Sequence, residues 1–266
     1  MLRKLVMLAV LLGAAAPAAR QMRSADDWCR NEGWGRDRAG VCEVREFTLP
    51  ASGGVLNVDA SPNGGISVEG SARNDVLIYA KVVAAADTEN RAREIASGVH
   101  VTAAADNVQA SGPTGLRDRE SWHVSYHVFA PTQTSVDLRT VNGGIRITDV
   151  EGRLQFQTVN GGVRLKGLGG DVQGRTRNGG VDIDLDGDVW RGDGLDVETE
   201  NGGVRLAIPA QYSARLETGT VNGRVRLDFP LTIQGRLDRD LQTTLGAGGP
   251  LLRVRTTNGG VTISRK

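Results

Sequence analysis

Five copies of the tripeptide Asn-Gly-Gly, at Asn142, Asn160, Asn178, Asn201 and Asn258, sit in one alternating frame and constrain how the second half of this 266-residue chain can fold. Asn222-Gly223-Arg224 is a variant, and Asn63 begins an outlying copy. The first three are 18 residues apart, the next gaps are 23 and 21, and the last is 36, twice the unit. A period of this size marks a repeat architecture, in which one unit cannot bury its own apolar face and must stack on the next.

Aligned on the asparagine, Leu138, Thr140, Asn142, Ile145 and Ile147 match Phe156, Thr158, Asn160, Val163 and Leu165. The pattern recurs as Gly174, Thr176, Asn178, Val181 and Ile183, then around Asn201 and Asn258. Spacing by two on each side of the turn is the strand period, which places the apolar residues, the Thr and the Asn on one face. Stacked in sequence order, equivalent residues would lie about 4.8 Å apart, and Asn142, Asn160, Asn178, Asn201, Asn222 and Asn258 would form an interior structural ladder. The two glycines are expected to supply positive φ at a tight corner. The predicted fold is all-β: a repetitive β-solenoid of stacked, β-helix-like coils with Asn-Gly-Gly corners, plus one short helix. Asn-Gly between alternating strands is also a hairpin signal, so an antiparallel β meander is the alternative. With 39% apolar and 4% aromatic residues the chain suits a thin core.

The domain boundaries follow from composition. Residues 1–19 read as a secretory signal peptide, with Arg3 and Lys4 before the apolar run Leu5 to Leu12 and small residues at the cleavage site. Its loss takes 32 basic residues to 30 against 31 acidic ones, a balance that argues against a nucleic-acid partner. Residues 20–50 form an N-terminal segment closed by Cys29 and Cys42, the only cysteines, which in an exported chain are expected to pair. Residues 51–130 are an opening β region with a short helix over 87–98, capped by Asp87 or Thr88 and striped by Ala92, Ile95 and Ala96. Residues 131–266 are the repeat solenoid. No stable membrane insertion of the mature chain is expected, and its place is periplasmic, secreted or at the cell surface.

Four constellations carry possible chemistry. Asp182, Asp184, Asp186, Gly187 and Asp193 match calcium-loop spacing, although alternation with Val181, Ile183 and Leu185 already explains them as the solvated face of a strand. His123 and His127 share a strand face but lie too far apart for one metal, and read as a surface pair. Glu198 and Glu200, with Asp182 and Asp184, are the best paired carboxylates for glycoside chemistry. The residues directly after the glycine corner, Arg146, Arg164, Asp182, Arg205 and Arg226, would stack into a guanidinium stripe suited to carboxylate or phosphate groups.

The segments SVDLRTVNGGIRITDVEGRLQFQTVNGGVRL (Ser135 to Leu165), FPLTIQGR (Phe229 to Arg236) and GGPLLRVRTTNGGVTI (Gly248 to Ile263) resemble the putative-adhesin family of β-strand-repeat domains of unknown function in bacterial envelope proteins. The resemblance spans roughly residues 50 to 266 and implies a β-solenoid on an exported protein. It brings no catalytic or binding residues with it. The expected function is that of an exported, non-catalytic, adhesin-like or structural envelope protein with no cofactor or metal, whose arginines Arg146, Arg164, Arg205 and Arg226 meet an anionic envelope polymer or a surface protein. The alternatives are a carbohydrate-active β-helix enzyme and a calcium-binding surface module.

Overall fold

The computed structural model describes residues 28–30, 32–34, 37–104, 106–228 and 239–266. The signal-peptide reading over residues 1–19 and the FPLTIQGR segment lie outside them. Among the described residues the chain is all-β with one helix. Its first elements are β1 (Ala39–Pro50), β2 (Val55–Asp59), β3 (Ile66–Ser71), β4 (Asp75–Ala86), α1 (Glu89–Ser97), β5 (His100–Ala104), β6 (Asn107–Ser111) and β7 (Ser121–Pro131). There follow β8 (Ser135–Arg139), β9 (Ile145–Thr148), β10 (Glu151–Asn160), β11 (Val163–Lys166), β12 (Gly169–Asn178), β13 (Val181–Asp184) and β14 (Gly194–Asn201). The last are β15 (Val204–Ile208), β16 (Ala214–Asn222), β17 (Val225–Leu227), β18 (Asp240–Leu245), β19 (Leu251–Asn258) and β20 (Val261–Arg265).

The strands form two open, mixed sheets of ten, ordered β1-β4-β7-β3-β9-β11-β13-β15-β20-β17 and β18-β16-β19-β14-β12-β10-β8-β2-β6-β5. Each Asn-Gly-Gly turn carries the chain from a strand of the second sheet to one of the first, as from β10 to β11 and from β12 to β13. The two strands flanking a turn therefore do not pair with each other, so the antiparallel meander falls. Pairing runs between equivalent strands and is mostly parallel; β1 with β4, β4 with β7, β5 with β6 and β16 with β18 are the antiparallel exceptions. Alternation puts Leu138, Leu154, Val172 and Leu195 of the second sheet opposite Ile147, Leu165, Ile183 and Leu206 of the first in one core. At Gly174 a side chain would collide with the ring of Phe156, which fills the space above it.

The order of stacking departs from the expected sequence order. Strands β19 and β20 lie between β14–β15 and β16–β17, so the asparagines run 63, 142, 160, 178, 201, 258, 222. The charges explain the insertion. In register, Asp196 and Glu198 of β14 face Arg253 and Arg255 of β19, and Arg253 in turn faces Glu217 of β16. A sequential stack would instead set Glu217 against Asp196 on one sheet and Arg226 against Arg205 on the other, and like charges directly across a strand pair are destabilising.

The row of asparagines is continuous but not interior. Each Nδ2 donates to the preceding Oδ1 at 2.7 to 2.9 Å, from Asn222 back to Asn63, and all of these side chains are exposed. The asparagine stands two residues beyond the last inward Thr, where the chain has already left the core. The threonines are the interior polar row. Thr140, Thr158, Thr176, Thr199, Thr256 and Thr220 are buried. Each hydroxyl donates to the carbonyl of the first turn glycine one layer back, as Thr158 does to Gly143 at 2.8 Å. Thr158→Val leaves that carbonyl short of a partner and is expected to cost about 1 to 2 kcal/mol in denaturant melts, while the exposed Thr257→Val should cost almost nothing.

The glycines also have a different reason from the expected one. The expected positive φ is found at Gly64 and Gly259, at 157° and 159°, but not at Gly143, Gly161, Gly179, Gly202 and Gly223. A Cβ on any of them would instead lie 1.9 to 2.1 Å from the equivalent glycine carbonyl of the adjoining layer. Close backbone approach, rather than turn geometry, excludes a side chain there.

At the other end of the first sheet, α1 packs Ala92, Ile95 and Ala96 against Ala84 and Ala86. Thr88 caps its N-terminus through a bond from Arg91 N. Arg45, on an inward position of β1, donates to the Ala96 and Val99 carbonyls where the helix ends. No helix among the described residues is long and apolar enough to cross a membrane.

Candidate functional site

On the outer face of the first sheet the register sets Ser67, Arg146, Arg164, Asp182, Arg205, Thr262 and Arg226 in one row. Asp182 lies 3.7 Å from Arg164 and accepts a bond from Arg205 at 3.1 Å. Thr262 separates Arg226 from the other arginines, so the expected stripe ends at Arg205. Arg146 and Arg226 are exposed and have no ion-pair partner among the described residues. Lys166, two residues further along β11, adds a second cation beside Arg164.

More of the charges on the second sheet's outer face are paired, although Arg153 of β10 is exposed with no ion-pair partner among the described residues. Arg175 pairs with Glu198 at 3.4 Å, Arg177 with Glu200 at 3.2 Å, Arg139 with Asp137 at 2.8 Å, and Arg253 with Asp196 and Glu217 at 3.4 and 3.1 Å. Glu198 and Glu200 thus face outward from one sheet while Asp182 and Asp184 face outward from the other. The core stands between the two pairs, so the carboxylates proposed for glycoside chemistry do not converge.

The aspartate series does not assemble either. Lys266 Nζ bonds to Asp184 and, at 2.7 Å, to Asp186, while Asp182 is held between two arginines. No group of three or more metal-ligating side chains comes together among the described residues.

Cys29 and Cys42 form a disulfide with Cα atoms 5.6 Å apart. Cys42 lies on an outward position of β1, so the bond fastens the preceding segment onto the outer face of the first sheet. There Glu32 pairs with Lys81, whose ammonium sits 5.2 Å from the Trp28 ring centroid. Trp28 meets His127 edge-on at 6.2 Å, and Trp34 covers Gly40, where a Cβ would strike its ring.

His123 and His127 are consequently half-buried and not the surface pair expected. Burial, with the nearby charge of Arg146 adding to it, pushes the His127 imidazole down to about 4. The Glu69 carboxylate, 3.8 Å from Nε2, does not reverse this. In the unfolded chain the ring titrates near 6.5, so between these values the unfolded state holds more protons. The histidine's contribution is therefore complete above about pH 6.5 and lost as the pH falls toward 4. The melting temperature should fall over that window, and His127→Phe should flatten the fall.

Two features escaped the sequence reading. Tyr79, His127 and Phe129 lie on the same outer face, adjoining the arginine row. A cleft of about 340 Å³ is lined by Leu49, Pro50, Leu56, Val76, Asp106 and Glu151 among others. For the first, strand alternation places Tyr79 on β4 and His127 and Phe129 on β7 at outward positions. Nothing local in sequence announces the second, whose walls come from segments far apart in the chain.

No family model matches the chain, and no curated protein matches it. Solved structures of similar layout include a putative cell adhesion protein from Clostridium sporogenes, 11% identical, with 85% of this chain and 100% of that chain covered at a TM-score of 0.46. A putative adhesin from Bacteroides fragilis is 14% identical, covering 85% and 97% at a TM-score of 0.37. A putative lipid binding protein from Parabacteroides distasonis is 11% identical, covering 85% and 96% at 0.40. Nothing about ligand or activity transfers at that level.

Proposed function

We propose that this chain is an extracytoplasmic, non-catalytic binding protein whose two sheets are the opposite walls of a solenoid, and that the first-sheet wall holds an anionic envelope polymer through Arg146, Arg164 and Arg205. The observation that carries this reading is the contrast between the two outer faces. On the second sheet the arginines facing β14 and β16 meet carboxylates on those neighbouring strands; on the first, Arg146 meets none, and Arg164 and Arg205 share one aspartate. A disulfide supports an oxidising compartment. Parallel, in-register strands linked alternately from sheet to sheet support the solenoid. The described residues between Trp28 and Pro50 act as a fastening for the opening layers, and the described layers after residue 131 present the wall.

A repetitive face binds a polymer through many weak contacts. Polyphosphate should bind the parent at low salt and weaken as salt rises, because exposed charges are screened. Changing Arg146, Arg164 and Arg205 together to Ser should weaken it by about ten-fold, roughly 1.4 kcal/mol. Arg226→Ser, isolated behind Thr262, should change little. A folded triple variant that binds like the parent would sink the assignment.

A further inference from the structure

The outer face of the first sheet changes character along its length. From β9 to β13 its outward residues are Arg146, Thr148, Arg164, Lys166, Asp182 and Asp184. On β4 and β7 the outward residues include Leu77, Tyr79, His127 and Phe129, none of them fully buried. Tyr79 and Phe129 meet edge to face with centroids 6.2 Å apart, and His127 stacks on Phe129 at 4.4 Å. His127 meets Trp28 of the disulfide-fastened segment edge-on, but in a chain with only 4% aromatic residues Tyr79 and Phe129, directed away from the core, are not accounted for by core packing.

Carboxylates flank the rings. Glu46 is the register partner of Tyr79, and Glu69 is the register partner of Phe129. Aromatic faces bordered by planar acceptors match a sugar ring, which offers an apolar C–H face and a rim of hydroxyl donors. Acidic sugars are excluded at that spot by the same carboxylates, yet the row leads directly from Tyr79 through His127 and Ser67 to Arg146 and Arg164. Three strand spacings of about 4.8 Å separate Tyr79 from Arg146, more than a single sugar spans.

We infer that this face is a glycan-binding site for an extended polysaccharide of mixed neutral and acidic sugars, its neutral ring over Tyr79 and Phe129 and its carboxylates at Arg146 and Arg164. This rests on the arginine-face reading above and names its ligand class.

Hyaluronan fragments, which alternate a uronate with a neutral amino sugar, and polyphosphate, which offers charge alone, separate the two ideas in equilibrium binding by the whole protein. Both should bind the parent. The Tyr79→Leu/Phe129→Leu double variant keeps apolar volume but loses the ring faces; it should lose about ten-fold, roughly 1.4 kcal/mol, for hyaluronan and nothing for polyphosphate. Unchanged hyaluronan binding by the double variant, or equal losses for both polymers, would overturn the inference. Should the double variant not fold, hydroxyl-radical footprinting of the parent decides: Tyr79 and Phe129 protected by hyaluronan but not by polyphosphate supports the site, and no protection refutes it. Polyphosphate binding without hyaluronan binding removes the glycan site and leaves the charged face; binding of neither removes both.

Discussion

Gly161→Ala is expected to cost roughly 3 to 5 kcal/mol, while Gly162→Ala, one residue on, should cost less than about 1 kcal/mol. The difference lies in the layer beneath. A Cβ at Gly161 would lie 1.9 Å from the Gly143 carbonyl oxygen and 2.4 Å from its carbon, both main-chain atoms held in a parallel ladder. Neither can move without breaking pairing to the next strand. At Gly162 the nearest atom is the Gly180 oxygen at 3.5 Å, an ordinary contact. The variant turn Asn222-Gly223-Arg224 fits this account, because it keeps the first glycine and gives up the second. Denaturant midpoints of the two alanine variants, compared with the parent, check it; equal losses would show that both glycines serve the turn.

Glu217→Lys should be nearly as damaging, at about 2 to 4 kcal/mol, with Glu217→Gln costing about half of that. The Glu217 side chain is 15% exposed and accepts from both Arg253 and Arg255 of the inserted strand β19. A lysine there sets a third cation against two arginines in a partly dehydrated position. Thermal melts at low and high salt check the cause: part of the loss should recover in salt for the lysine variant, whereas a loss unaffected by salt would assign the position to packing instead.

Much of the architecture was legible because a period of two states which face each residue takes. The buried threonines and the paired rows of apolar residues followed from spacing alone. The asparagines kept their row but lay outside the core, since periodicity continues through a turn while burial does not. Stacking order was not legible, because every Asn-Gly-Gly turn is locally interchangeable and only charges from strands far apart in sequence, such as Asp196, Arg253 and Glu217, choose among the neighbours. Strand β1 was hidden for a related reason. Its inward positions include Glu43 and Arg45, which break the apolar alternation, and Arg45 is placed there to meet carbonyls at the end of α1. At the candidate site, the arginine row was readable strand by strand, but Thr262 entered it from the end of the chain. The histidines seemed exposed until the disulfide-fastened segment covered them.

The insertion of β19 and β20 also sets an order of events for the folding chain. Of the strands described, these two are made last, yet they form an interior layer and not a terminal one. Until they emerge, β16 and β17 have no proper neighbour on their inner side, and Glu217 can only approach Asp196, which repels it. The preceding layers can zip up from β8 to β15 as they are synthesised, because each contacts a strand already present. The closing end must wait with its edge open. These final strands act as a keystone, and a nascent or clipped chain lacking them would expose an unpaired edge in the middle of its stack.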